Sequence, residues 1–220
     1  MNLKQQKNKK QPRVKSKTIQ ILEEFVKNNI KEYIIIIIIF LIGLLLGVMF
    51  INNVGESQKE EITGYVNTYL EAFKQKEIDY TEQLKNNIKE NIVLVLTMWF
   101  VGSTVIGIPI VLGIIGFRGF CLGYTISSFT YVLGTTKGIT FSIMALIVQN
   151  IIFIPAILSL GVSCLKLYQS ILKDKRRENV KVEIIRHTIF SIIMLICIII
   201  SGIVEAEIST RLLKSIIKYI

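Results

Sequence analysis

At 220 residues, the chain could be one soluble domain or a small membrane protein; 51% of its residues are hydrophobic and its net charge is +10. The hydrophobic residues gather into long uncharged blocks and do not recur at core periodicity, which excludes an ordinary soluble domain. The positive charge stands beside those blocks, where cytoplasmic loops carry their excess Lys and Arg, and so gives no ground for a nucleic-acid partner.

Five blocks lack a charge: 33–51, 91–117, 119–136, 138–165 and 188–204. A hydrocarbon core about 30 Å thick asks for about 20 apolar residues in a helix. Backbone polar groups in lipid must be paired within their own segment, so each block is expected to be helical. The fold class follows: an all-α, polytopic membrane bundle of about five transmembrane helices with an external amphipathic helical loop.

The 1–32 segment is a basic tail with nine Lys and Arg residues, which places the N-terminus in the cytoplasm. Block 33–51 has no A-x-A cleavage site after it and reads as an uncleaved signal anchor. The second basic segment, 166–186, should face the cytoplasm too, so an even number of spans must separate the two. A tight turn at Arg118, between 91–117 and 119–136, supplies the needed fourth span and puts Arg118 at the cytoplasmic surface, its head snorkelling toward water. Span 188–204 then leads out, and 205–220 is an external segment.

The external loop, 52–90, holds eight acidic and five basic residues. Ile62, Tyr65, Val66, Tyr69, Leu70 and Phe73 follow helical spacing, as do Tyr80, Leu84, Ile88 and Ile92. Asp79 followed by Glu82 resembles an N-cap with a reaching carboxylate. Two amphipathic helices are expected, with their apolar faces either on the bundle or offered to a partner through Tyr65, Tyr69 and Phe73.

Within the spans, polar residues are few. Gln149 and Asn150 precede Pro155 and need partners on neighbouring helices or on backbone freed at the proline. Glu205 and Glu207 end the last span. Gly43 and Gly47, and Gly119 and Gly123, lie four apart, the spacing that lets helix backbones approach within a bundle. A homo-oligomer is the alternative use of such stripes. Ser127, Ser128, Ser142 and Ser159 have no histidine or aspartate within any span to activate them, so no enzyme is expected. Cys121, Cys164 and Cys197 are odd in number and widely spaced, and His187 is the lone histidine. Neither a disulfide framework, a metal site nor a cofactor is expected.

Three stretches then carry a resemblance: 116–123 (GFRGFCLG), Gln149-Asn150 through Pro155-Ala156, and Val204-Glu205-Ala206 with Ile208. Together with the basic tail, the long loop after the first span and the five blocks, they resemble the stage II sporulation protein M family. Val148 stands where the family often has proline before the Gln-Asn pair, and Ser209-Thr210-Arg211 stands where a proline tends to follow the Glu-Ala stretch. The resemblance implies a non-enzymatic membrane anchor for two cell-wall hydrolases, in a complex that thins the septal wall and drives forespore engulfment. It also implies a place in the mother-cell membrane. The alternative from the residues alone is a small permease or channel using Gln149, Asn150 and the Pro155 region.

Overall fold

The computed structural model of the chain describes residues 26–75, 80–104, 106–173 and 178–204. Among these residues there is no strand, and after a short helical piece at 26–28 come six long helices: α1 (Ile30–Asn53), α2 (Glu56–Gln75), α3 (Tyr80–Gly102), α4 (Ile108–Leu133), α5 (Thr135–Lys173) and α6 (Glu178–Val204). Most of the basic tail and all of 205–220, with Glu205 and Glu207, lie outside the described residues, as does Asp79.

Four stretches are long and apolar enough to cross a membrane: Ile30–Asn53, Ile108–Leu133, Asn150–Leu172 and Val180–Val204. The chain is therefore a helical membrane bundle, with four such helices in place of the expected five. The difference lies in block 91–117, which is not one helix. Its first part ends α3, whose N-terminal half carries Glu82, Lys85, Lys89 and Glu90. Its last part begins α4.

The turn expected at Arg118 does not exist. Arg118 is the eleventh residue of α4, which runs unbroken from Ile108 to Leu133. The chain breaks earlier, at 103–107, for local reasons. The Ser103 hydroxyl donates to the Trp99 carbonyl and that of Thr104 to the Val101 carbonyl, both at 2.7 Å, competing with helical propagation. Pro109, with its fixed φ and missing N–H, then sits in the first turn of α4, where both are tolerated. The next break is also displaced, from Lys137 to Gly134, whose φ of 80° favours glycine.

α5 is the centre of the bundle: 56% of its span residues are buried, against 28–33% in the other three spans. Its 39 residues extend for roughly 58 Å at 1.5 Å per residue, so it projects beyond the hydrocarbon. α1 buries a single stripe, Ile36, Phe40, Gly43, Gly47 and Ile51, and turns Ile38, Leu41 and Leu45 outward to where lipid would lie. That stripe packs in parallel register on α4. A methyl group on Gly43 would strike the Gly116 carbonyl, one on Gly47 that of Phe120, one on Gly119 that of Phe40 and one on Gly123 that of Leu44. The four-residue glycine spacing thus serves packing within one chain.

α3 runs against α6. Asn91 lies beside Gly202, and the Trp99 indole donates to the Thr188 hydroxyl at 3.1 Å, so the two helices are antiparallel. The end of the bundle that holds Trp99 and Thr188 also holds the start of α1, because Tyr33 donates to Ser159 at 2.8 Å and Gly161 abuts Ile36. α2 covers the opposite end. Although α3 is too polar to count among the apolar spans, it passes alongside α5 and α6 from one end to the other.

Candidate functional site

Two regions concentrate polar or exposed groups. The first is α2. Its residues Ile62, Val66 and Leu70 are buried against Ile51, Val54, Phe129 and Phe141, so its apolar stripe rests on the bundle. Phe129 and Phe141 pack as a tilted pair with ring centroids 4.8 Å apart beneath it, and the Tyr69 ring tilts onto Phe129 at 5.9 Å. Of the two expected aromatic anchors that are described, Tyr65 turns away, 78% exposed, while Tyr69 is 39% exposed. The side chain of Phe73 lies outside the described residues. The apolar set read from helical spacing therefore divides: one edge is occupied by the bundle and the other, at Tyr65, faces outward.

The second region is a half-open cavity of about 200 Å³ between α1, α3, α4 and α5. Arg118, Cys121 and Thr125, spaced as one face of α4, form one wall. Asn87, Glu90 and Asn91 of α3 form another. Asn150 of α5 completes the polar part, and Phe153 of α5, Phe40 of α1 and Leu122 line it with hydrocarbon. The Arg118 guanidinium stands over the Phe153 ring, 5.4 Å from its centroid, a cation–π contact. No ion pair joins it to Glu90 or to any other described carboxylate. Asn150 donates to the Leu146 carbonyl at 2.8 Å, leaving its own side-chain carbonyl uncommitted by that bond. Asn91 is only 6% exposed.

Arg118 is therefore not a turn residue but a half-buried one. It lies in mid-helix with three other helices around the cavity it lines. A charge inside an apolar run reads as a loop when only hydropathy is weighed; here neighbouring helices supply polar groups and space. The structure brings Arg118 and Asn150 together from two separate sequence stretches. Gly119 and Gly123 lie on the adjacent face of α4, in the seam with α1. Pro155 is exposed and lines no part of the cavity, and the side chain of Gln149 lies outside the described residues. Sequence reading missed Asn87, Asn91, Cys121 and Thr125. The signal was available in their spacing, since 87 and 91 share one helical face and 118, 121 and 125 another.

A third contact corrects the expectation that no histidine lies within a span, although it reaches none of Ser127, Ser128, Ser142 and Ser159. His187 lies inside the apolar Val180–Val204 stretch, and its Nδ1 is 2.8 Å from the Ser163 hydroxyl, with both residues buried. Its Nε2 is buried without a hydrogen-bond partner among the described residues. Neither residue lines the polar cavity.

A family model described as stage II sporulation protein M matches residues 36–210. No curated protein and no solved structure matches the chain.

Proposed function

The chain belongs to the stage II sporulation protein M family, a sporulation-related membrane protein, and from that premise we propose that it is a non-enzymatic scaffold holding two peptidoglycan hydrolases at the septal membrane for wall thinning and engulfment. The observation that carries this reading is α2, a helix outside the apolar spans, fixed by a seven-residue aliphatic and aromatic core and offering Tyr65 on its outer edge. A large aromatic held on a rigid support is the kind of anchor on which interfaces concentrate their energy. Partners bound there act at high effective concentration beside the membrane they work on. In this reading α2 faces the wall, the N-terminus is cytoplasmic and the C-terminus external. The basic charge on both the tail and the 166–186 segment supports that orientation. Ser163 and His187 act as a buried packing contact and perform no hydrolysis.

A small-permease reading draws on Arg118 and Asn150, which share one intramembrane cavity, but it loses the exposed Pro155 as a path-lining element. Substrate flux in reconstituted vesicles tests it.

The scaffold is tested by mild-detergent recovery of the tagged full chain from sporulating mother cells, with mass spectrometry of the co-purified proteins. Wall hydrolases are expected with the wild-type chain and are reduced severalfold with Tyr65→Ala at equal abundance. Recovery of the chain alone, with crosslinking also giving no hydrolase, contradicts the reading.

A further inference from the structure

The cavity around Arg118 goes beyond the scaffold reading and does not depend on it. A guanidinium in the middle of a membrane helix is costly unless something offsets its charge. Here the direct contact the described residues supply is the face of Phe153, which compensates part of a full charge. Glu90 also lines the cavity, exposed and unpaired with Arg118. The remaining neighbours are neutral amides, a hydroxyl and a thiol. Thr125 spends its proton on the Cys121 carbonyl at 2.8 Å, and Asn150 spends one on Leu146. Asn91 is buried at the wall, with its amide nitrogen close to Gly202 of α6.

We propose that this cavity binds a phosphate group, with Arg118 as the main contact. The guanidinium presents paired N–H groups whose geometry matches a phosphate's oxygens. The volume of about 200 Å³ is that of several waters at about 30 Å³ each, enough for a phosphate and its nearest solvent but not for a large solute. Phe40, Leu122, Leu146 and Ile154 make the rest of the wall apolar. That lining suits a phosphate carried on a lipid, whose chains would leave between helices, better than a free, fully hydrated anion.

The test uses the full chain in neutral detergent and native mass spectrometry with three probes: phosphatidic acid, diacylglycerol with the same acyl chains, and inorganic phosphate as competitor. The wild-type chain is expected to retain phosphatidic acid and not diacylglycerol. Arg118→Gln is expected to lose about tenfold or more in retention and Arg118→Lys, which keeps the charge without the planar fork, several-fold. Glu90→Gln, which removes a repelling charge, is expected to strengthen retention. Displacement of the lipid by millimolar inorganic phosphate would support the site and assign it to the free ion; resistance to displacement would assign it to the lipid. Equal retention of diacylglycerol, or wild-type retention by both Arg118 variants, overturns the proposal. If Arg118→Gln does not fold, Arg118→Lys decides alone.

Discussion

Two faces of α4 use the same helix in opposite ways. Toward α1, Gly119 and Gly123 bring backbone against backbone, with no room for even one methyl group. On another face of the same helix, Arg118, Cys121 and Thr125 border a cavity that no side chain fills. The close seam draws its stability from dispersion between surfaces in full contact. The open face gives up that contact and keeps a charge inside the bundle, the usual mark of a functional place in a membrane protein. Adjacent residues, Arg118 and Gly119, thus belong to different physical problems.

The sharpest way to break this contrast is to overfill the seam. Gly119→Leu should cost about 3 kcal/mol or prevent folding, whereas Gly113→Leu on the same helix, where nothing lies within 4 Å, should stay within about 0.5 kcal/mol. Thermal melting of both variants in one detergent checks it, and equal melting would refute the tight α1–α4 seam.

A smaller effect is expected where α2 meets the bundle. Val66→Asp places a carboxylate among Ile51, Phe129 and Phe141 and should loosen α2 by about 2 kcal/mol, read as faster amide exchange across 56–75 with the spans unaffected. Uniform exchange in wild type and variant would mean that α2 is not held as described.

Ser163→Ala removes the partner of His187 Nδ1 and should cost about 1 kcal/mol in the denaturation midpoint. On the open face of α4, Thr125→Val loses only a bond to its own helix and should change stability by less than about 0.5 kcal/mol. A large loss from Thr125→Val would show that the cavity wall is packed as tightly as the seam.

What could be read from the sequence were the features set by one helix alone. The apolar register Ile62, Val66 and Leu70 predicts the buried face of α2, and the glycine pairs predict close helix contact, because both follow from 3.6-residue periodicity. The break at 103–107 was written in Ser103, Thr104 and Pro109, yet Arg118 outweighed it, since a lone charge in an apolar run is the stronger hydropathy signal. The environment that accommodates Arg118 comes from α3 and α5, and neither contact has a local signature. The same holds for His187, which looked like a loop residue and meets Ser163 only after α5 and α6 pack. Tyr65 and Tyr69 looked equivalent by spacing; only the position of Phe129 separates them.

The most direct test of the scaffold places a photo-crosslinking amino acid at position 65 of the full chain in sporulating cells, with the same group at the outward-facing position 38 of α1 as comparison. The account predicts covalent adducts with peptidoglycan hydrolases at 65, on the wall side of the membrane, and not at 38. Absence of hydrolase adducts at 65, with the chain abundant and correctly inserted, would contradict α2 as the face that holds them.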